Sequence, residues 1–317
     1  MGWEGGGVNK IEFGDCRETM RRWKYQGIKA QTCVTSPPYY GLRDYGHEGQ
    51  LGLEETPEDY IKAMVEVFRC VWDVLEDNGT LWLNIGDSYA GSGKGPSKSL
   101  NQEHHNLEDI HSKIVPRGCK PKDLIGIPWM MAFALRADGW YLRQDIIWHK
   151  PNPMPESVQD RCTKAHEYIF LMSKSQKYYY DADAIKEEVK EVSITRAKSA
   201  WNPTKLNVGL DGAKNESFET MGDRWVKEKA NKRSVWTVTT KAYAGAHFAV
   251  FPQDLIEPCI LAGAPVGGIV LDPFMGSGTT AQVAQNLGRK YLGCELNPAY
   301  LDLQKIRTAQ QSFGFEA

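Results

Sequence analysis

Two short segments near opposite ends of the chain contain residue types that can bind and orient a ligand. The first runs from Thr35 to Tyr40 (TSPPYY) and follows the apolar run from Thr32 to Val34. Proline restricts its own φ and also the conformation of the preceding residue, so this segment predicts a rigid, extended strand terminus. Such a terminus directs backbone carbonyls and an aromatic ring into a cleft.

The second segment runs from Asp272 to Thr280 (DPFMGSGTT), after an apolar run and before a helical pattern that starts at Thr279. Its glycines allow the backbone to pass close to a ligand at a strand-to-helix turn. A phosphate-binding loop is excluded because no lysine follows the second glycine, and the three-glycine spacing of a dinucleotide fingerprint is missing. A glycine turn without a ligand remains the alternative.

Together the two segments resemble the catalytic and cofactor motifs of the DNA amino-methyltransferases. In that family the first motif is Asp, Asn or Ser followed by Pro-Pro and an aromatic residue, and the second has a Phe-x-Gly-x-Gly core, here Phe274 to Gly278. The order of the motifs, catalytic first and cofactor last, is similar to the permuted beta subgroup. The resemblance implies S-adenosylmethionine as the cofactor and double-stranded DNA as the substrate.

Helices and strands alternate along most of the chain, which predicts an α/β fold with a doubly wound, mostly parallel sheet and ligands at the carboxyl ends of the strands. The resemblance implies a Rossmann-like, circularly permuted sheet of the class I methyltransferase type. Predicted strands cover 11–15, 80–86, 141–149, 167–173 and 290–293, with two more ending at Thr35 and Leu271. Predicted helices cover 17–23, 57–75, 127–137, 253–261 and 279–287, and a last helix passes through Leu301 and Ile306. Asn78-Gly79 is the predicted stop signal for the helix over 57–75.

One large α/β domain with an elaborated region is favoured over two small domains at this length of 317 residues. Residues 8–182 form the catalytic half of the core, and their Gly-, Ser- and Lys-rich stretch 87–122 is predicted to be a mobile loop. Residues 183–241 occupy the place of the family's target-recognition region, and 242–317 form the cofactor half of the same core.

The composition is ordinary for a globular protein, with 41% hydrophobic and 25% charged residues. A formal net charge of −2 does not indicate a polyanion partner, so a DNA interface requires local basic surface. Lys and Arg outnumber Asp and Glu in 183–241. Seven cysteines without a Cys-x-x-Cys pair indicate reduced thiols and no metal site. The sequence shows no signal peptide or membrane span, which predicts a cytoplasmic protein.

The resemblance implies cofactor contacts around the glycine turn. A carboxylate at the end of the next strand, Glu295, is expected to accept hydrogen bonds from both ribose hydroxyls. Asp15 is either the acid that contacts the adenine or a helix N-cap, and Phe251 either closes over the methionine part or packs in the core. The predicted cofactor residues are Asp15, Phe251, Pro252, Asp272, Phe274, Gly276, Ser277, Gly278, Thr279, Glu295 and Asn297.

The exocyclic amine of a base is a poor nucleophile because its lone pair is delocalised into the ring. Ser36 Oγ and the Pro37 carbonyl can accept the amine hydrogens, Pro38 fixes the turn without offering a competing N–H, and Tyr39 offers a ring on which the base stacks. Carbon-5 methylation of cytosine would require a Pro-Cys nucleophile. The only such pair, Pro258-Cys259, lies inside a predicted helix, so packing is its expected role.

Serine in the first motif position is typical of enzymes that methylate the 4-amino group of cytosine, whereas Asp or Asn is typical of those that methylate the 6-amino group of adenine. Ser36 therefore predicts cytosine, and the target base must be flipped out of the duplex. Adenine is the alternative. Methylation of RNA or of protein glutamine, and a non-catalytic nucleic-acid-binding module of the same fold, are weaker alternatives.

Six residues are predicted to contact DNA. Tyr40 and Arg43 follow the first motif and are expected to line the pocket of the flipped base. The proline-rich stretch from Trp148 to Ser157, followed by Arg161, resembles a family segment next to that pocket or is a simple connector. The predicted DNA contacts are Tyr40, Arg43, Lys150, Arg161, Lys232 and Arg233. The resemblance is also compatible with a homodimer and with a separate cognate restriction endonuclease.

Overall fold

The computed structural model describes residues 7–42, 46–47, 49–91, 115–189, 229–240 and 251–309. Arg43 therefore lies outside the described residues, as do 92–114 of the predicted loop and 190–228 of the predicted recognition region. The chain divides into two compact units, a small one within Ala182–Arg233 and a large one formed by the segments before and after it.

The large unit contains an eight-stranded sheet with the order β1-β10-β9-β2-β3-β5-β4-β8. Its strands are β1 (Lys10–Phe13), β2 (Ala30–Thr35), β3 (Leu75–Ile85), β4 (Tyr141–His149), β5 (His166–Ser173), β8 (Val235–Thr237), β9 (Ile269–Asp272) and β10 (Lys290–Glu295). Its helices are α1 (Cys16–Tyr25), α2 (Pro57–Val74), α3 (Ile127–Ala137), α4 (Gln253–Gly263), α5 (Thr279–Asn286) and α6 (Leu301–Ala309).

The sheet is mostly parallel, as the sequence predicts. Strands β1, β10, β9, β2 and β3 pair in parallel, β5 is antiparallel to β3 and β4, and β8 runs parallel to β4. The strands predicted at 141–149 and 167–173 form an antiparallel pair, β4 with β5. The chain passes from β9 to β10 in one direction along the sheet and from β2 to β3 in the other, so the strand order reverses between β9 and β2. Ligands bind at such a switch point in doubly wound sheets.

Helices on both faces explain why the central strands are apolar along their whole length. Crossovers are right-handed, so the connection through α1 and the connection through α5, which run in opposite directions along the sheet, lie on opposite faces. Helix α2 buries Tyr60, Met64, Phe68 and Val71 at a spacing of three or four residues, which makes one apolar stripe facing the core. This packing fixes the strand ends from which the site residues emerge.

The predicted helix over 57–75 is confirmed to within one residue, but Asn78-Gly79 is not its stop. Helix α2 ends at Val74, and the chain enters β3 directly because Leu75 is extended and fully buried. Ala30 pairs with Leu75, and pairing resumes at Thr80 after a register shift. A Cβ at Gly79 would lie 2.9 Å from the Glu76 carbonyl oxygen, so the glycine accommodates the irregular strand and does not cap the helix.

The small unit contains a two-stranded antiparallel ribbon of β6 (Glu187–Glu188) and β7 (Lys229–Ala230). Glu187 forms ion pairs with Lys232, at 3.2 Å, and with Arg233, at 3.0 Å. Among the described residues of both units, no helix combines the length and the apolar character that crossing a membrane requires.

Candidate active site

The two motifs meet at the carboxyl ends of neighbouring strands. Strands β2 and β9 pair in parallel, with Cys33 opposite Leu271. Ser36 follows the last residue of β2, and Asp272 is the last residue of β9. Segments that are far apart in the sequence therefore border the same switch point of the sheet.

The Asp272 carboxylate joins the two motifs. It is 1% exposed and accepts hydrogen bonds from Thr35 Oγ1 (2.7 Å), the Phe274 amide (3.0 Å) and Thr280 Oγ1 (2.6 Å). One side chain thus holds the end of the catalytic strand, the glycine turn and the start of α5. The structure gives Asp272 a positioning role, and its direct contact with a cofactor stays a prediction.

The protonation of Asp272 couples folding to pH. Burial raises the pKa of this carboxyl from 3.8 to about 6, although the bonds from Thr280 and Thr35 oppose the change. Because the folded-state pKa is the higher one, folding takes up a proton between these values, and the contribution to stability is lost as pH rises. The quantity to compare is the unfolding free energy of the wild type minus that of Asp272→Asn. This difference should fall by about 3 kcal/mol between about pH 4 and about pH 6 and should stay constant at higher pH. Urea unfolding of both proteins across this range measures the difference, and parallel curves would contradict the shift.

The glycine turn has left-handed backbone at two positions, with φ of +53° at Gly276 and +90° at Gly278. A Cβ at Gly278 would lie 3.4 Å from the Gln304 Cα, whereas a Cβ at Gly276 would meet nothing closer than 4.0 Å. The left-handed backbone at Gly278 therefore favours glycine, and a Cβ there would only contact Gln304 of α6, whereas the backbone at Gly276 borders open space. The glycine at 276 leaves room for a ligand to approach.

Two side chains of helix α6 donate hydrogen bonds to the glycine turn and the residue after it. Gln304 Nε2 donates to the Gly276 carbonyl at 2.7 Å, and the Arg307 guanidinium donates to Thr279 Oγ1. Both side chains are buried. Sequence reasoning missed these two residues, because in the sequence they are polar positions on an ordinary amphipathic helix.

Glu295, the last residue of β10, lies beside the turn. Its Oε2 accepts from the Gly276 amide at 2.7 Å, and its Oε1 accepts from the Asn297 amide at 2.8 Å. Burial raises its pKa, against the effect of these amide bonds. Each carboxylate oxygen retains a further lone pair, so the predicted pairing with two ribose hydroxyls is compatible with the geometry. Asn297 accepts from the Ala299 amide at 2.9 Å and caps the short turn before α6.

The residues at the turn fit S-adenosylmethionine. The Ser277 hydroxyl is buried and has no hydrogen-bond partner among the described residues, which is costly unless a ligand completes the site. Open space at Gly276 and the two carboxylate oxygens of Glu295 lie at the same turn. These three features suit a nucleoside. The Ser277 hydroxyl can pair with one of its polar groups, the space at Gly276 lets it approach the backbone, and the Glu295 carboxylate can accept hydrogen bonds from its hydroxyls.

Asp15, Phe251 and Pro252 are the remaining predicted cofactor residues. Asp15 accepts from the Arg17 amide at 2.7 Å, which confirms the alternative of a helix N-cap. Burial would raise its pKa, but the Arg17 hydrogen bonds prevail and lower it. Pro252 is buried and caps α4, with half-buried Phe251 before it. Contact of Asp15, Phe251 and Pro252 with a cofactor stays a prediction.

The catalytic motif is held by a polar cluster at the ends of β3, β4 and β5. Tyr39 OH donates to Glu167 Oε2 at 2.7 Å and lies 3.4 Å from Ser36 Oγ. Asn84 Nδ2 donates to Glu167 Oε2 at 3.3 Å, and Lys150 forms an ion pair with Glu167 Oε1. We call Glu167 with Tyr39, Asn84 and Lys150 the Glu167 cluster. Sequence reasoning assigned no role to Glu167.

A second contact anchors the prolines. Tyr60 OH, on buried α2, donates to the Pro38 carbonyl at 2.8 Å. Tyr40 packs in the core beside Tyr60: it is only 8% exposed, and the two ring centroids lie 5.6 Å apart. This burial does not support the prediction that Tyr40 lines the pocket of a flipped base.

Gly86, directly after β3, allows the Tyr39 ring to take its position. A Cβ at residue 86 would lie 2.7 Å from Tyr39 Cε2 and 3.1 Å from Cδ2. Gly86→Ala should therefore displace the ring and slow turnover about 10-fold or more, since small misplacements of a positioning group are costly. Steady-state kinetics together with cofactor titration measures this effect. Gly7→Ala is the matched control, because a Cβ there meets no atom within 4 Å; equal activity of all three proteins would contradict the assignment.

The described cations that were predicted to contact DNA are paired with carboxylates. Lys150 pairs with Glu167, Arg161 pairs with Glu156 at 2.5 Å and lies 3.9 Å over the Tyr89 ring, and Lys232 and Arg233 pair with Glu187. These pairs do not support free phosphate contacts, so the DNA roles stay predictions. In the described segments, no group of three His, Cys, Asp or Glu side chains could hold a metal ion.

Comparison with known proteins agrees with this geometry. Residues 30–306 match the family model described as DNA methylase. The type II methyltransferase M.SmaI of Serratia marcescens is 46% identical, covering 94% of this chain and 90% of the relative, and M.Cfr9I of Citrobacter freundii is 44% identical over 92% and 84%.

Two solved structures share the fold. The cytosine-N4-specific PvuII DNA methyltransferase has a TM-score of 0.61 at 16% identity and covers 97% of this chain and 89% of its own. The complex of M1.HpyAVI with S-adenosylmethionine has a TM-score of 0.55 at 18% identity and covers 94% and 98%. The sheet, the meeting of the two motifs and these matches lead to one conclusion: the chain belongs to the family of S-adenosylmethionine-dependent DNA amino-methyltransferases that act on cytosine N4 or adenine N6.

Proposed function

We propose that the chain methylates the exocyclic 4-amino group of cytosine in duplex DNA, after the base is flipped out of the stack. The observation that carries this proposal is the position of Ser36 beside the Asp272 turn, at the carboxyl ends of paired strands. A cofactor held at the turn and an amine held at Ser36 would occupy one cleft. Such a site works mainly by positioning the reacting atoms.

The cofactor would be held by Glu295 through ribose hydroxyls and by the turn around Gly276 and Ser277. When bound, S-adenosylmethionine supplies an electrophilic methyl group on its sulfonium. Asp272 keeps this turn in register with Ser36 through Thr35. Helix α6 prevents the turn from opening, through Gln304 and Arg307.

The chain's own residues prepare the amine. Ser36 Oγ and the Pro37 carbonyl accept its hydrogens, which steers the nitrogen towards tetrahedral geometry and turns its lone pair to the methyl group. Tyr60 holds the Pro38 carbonyl, so the turn that presents these acceptors is rigid. Tyr39 provides an aromatic ring at the same place for the flipped base.

Ser36 is the reason for preferring cytosine. Serine at this position is typical of cytosine enzymes, and the PvuII methyltransferase, which shares the fold, is described as cytosine-N4-specific. The 6-amino group of adenine is the second candidate, because it presents the same transfer problem. Because the relatives are type II methyltransferases, we also propose that the chain has a cognate restriction endonuclease. We further propose that it forms a homodimer and acts in the cytoplasm.

The test uses DNA amplified in vitro, which carries no methyl groups, and a tritium-labelled methyl donor. After reaction, the DNA is digested to nucleosides, and the labelled species is identified by chromatography and mass spectrometry. We expect 4-methyldeoxycytidine. Label in 6-methyldeoxyadenosine would establish the alternative base, and cofactor binding without labelled DNA would favour a non-catalytic binding module.

A further inference from the structure

Methyl transfer to an amine releases a proton that must leave the site. The nitrogen lone pair forms the new N–C bond while the electrons of the S–C bond stay on sulfur, so the nitrogen gains a positive charge. Breaking one N–H bond returns that electron pair to nitrogen and frees one proton. Ser36 Oγ, which is proposed to accept a hydrogen bond from this amine, is the first oxygen available to the proton.

The Glu167 cluster continues from Ser36 as a directed chain of hydrogen bonds. Ser36 Oγ donates to Tyr39 OH at 3.4 Å, and Tyr39 OH donates to Glu167 Oε2 at 2.7 Å. In this direction, Ser36 can receive a proton from the amine while it passes its own to Tyr39, which passes its own to Glu167. The chain ends at a carboxylate.

Tyr39 is suited to act as the neutral link in this chain. Burial raises the pKa of its phenol well above the usual value, and the nearby Glu167 charge raises it further. The phenol therefore holds its proton at neutral pH and presents it to Glu167. Tyr39 OH also lies 3.2 Å from Asn84 Oδ1, but the shorter bond to a charged acceptor is the stronger one.

Three other described carboxylates at this edge of the sheet have hydrogen-bond partners of their own. Asp272 accepts two hydroxyl bonds and one amide bond, and Glu295 accepts two amide bonds. Asp87 accepts from the Ser88 amide and from the Gly126 and Ile127 amides at the start of α3. Glu167 is the carboxylate to which the hydrogen bonds from Ser36 lead.

We propose that Glu167 takes up, through Tyr39 and Ser36, the proton that the target amine loses on methylation. This inference rests on the proposed function. Lys150 forms an ion pair with Glu167, and its ammonium lies 4.2 Å over the Trp148 ring. The pair is shielded, with the Lys150 side chain 18% exposed and that of Glu167 16% exposed. Release of the proton to water then restores the site.

The experiment measures single-turnover methylation in H₂O and in D₂O, with enzyme in excess over DNA. Tyr39→Phe keeps the ring and removes the hydroxyl, and Glu167→Gln keeps an acceptor that cannot take up a proton at neutral pH. Each variant should slow the chemical step about 10²-fold, which is the lower end of the contribution that a positioned proton acceptor makes. Affinities for cofactor and DNA should stay near those of the wild type. The wild type should react more slowly in D₂O, and both variants should lose that difference.

Tyr168→Phe is the matched control, since it removes a hydroxyl next to Glu167 in the sequence but outside the chain of hydrogen bonds. If Glu167→Gln fails to fold because Lys150 is left unpaired, the double variant Glu167→Gln/Lys150→Met removes both charges and is tested in its place. Equal wild-type rates in the two solvents would overturn the proposal. The proposal would also be overturned if the variants were slower but kept the wild-type rate difference between H₂O and D₂O. In that case the two side chains would only position the reacting groups. Absence of methylation by the wild type would instead refute the proposed function.

Discussion

Ser36→Ala is expected to lower the turnover number about 10²-fold or more and to leave cofactor affinity nearly unchanged, since loss of one preorganised hydrogen-bonding group at a reacting centre has about this cost. The substitution removes an acceptor for the amine, while Asp272 is held by Thr35 and not by Ser36. The Gly276 turn therefore stays intact. Methyl-transfer kinetics give the first quantity, and isothermal titration of S-adenosylmethionine gives the second.

Ser175→Ala is the matched control for this experiment. Ser175 follows β5, which runs antiparallel to its neighbours and so ends at the opposite edge of the sheet, and its hydroxyl donates to the Lys177 carbonyl. This variant should retain wild-type kinetics. A loss of cofactor affinity in Ser36→Ala as large as its loss of turnover would show that Ser36 supports the turn and not the amine.

Asp272→Ala is expected to lower the unfolding free energy by about 3 kcal/mol or more and to abolish measurable cofactor binding. The substitution leaves three buried donors without an acceptor, from Thr35, Phe274 and Thr280, and each costs about 1–3 kcal/mol. It also releases the glycine turn from the catalytic strand. Urea unfolding and cofactor titration measure the two effects.

The control for Asp272→Ala is Asp302→Ala. The Asp302 side chain is 90% exposed and its contact with Lys305 spans 4.0 Å, so its loss should change stability little. A stable Asp272→Ala protein with normal cofactor affinity would contradict the central role of the carboxylate. Thr35→Val and Thr280→Val, which each remove one of its bonds, should have smaller effects than Asp272→Ala.

Much of the fold follows from local pattern. Apolar runs ended by turn residues predicted β2, β4, β5 and β9, and the parallel sheet then required their carboxyl ends to share an edge. This argument brings Ser36 and Asp272 together without any coordinates, because both follow such runs. The antiparallel hairpin of β4 and β5 was also predictable, since the prolines after His149 prevent a helical connection.

The rest of the site depends on contacts between distant segments. Nothing local distinguishes Glu167 or Gln304 from a solvated polar residue, because their roles arise from the side chains that the sheet brings to them. The same reason explains the cations: Lys150 and Arg161 look free in the sequence, but the fold supplies Glu167 and Glu156 as partners. The helix stop at Asn78-Gly79 failed because tertiary strand pairing prevailed over a local turn signal.

The hydrogen bond from Thr35 to Asp272 joins residues 237 positions apart in the chain. During synthesis on the ribosome, the N-terminal motif is therefore complete long before its support exists. A nascent chain that ends before β9 lacks the carboxylate that accepts this bond, so the first motif reaches its supported position only after β9 has been synthesised.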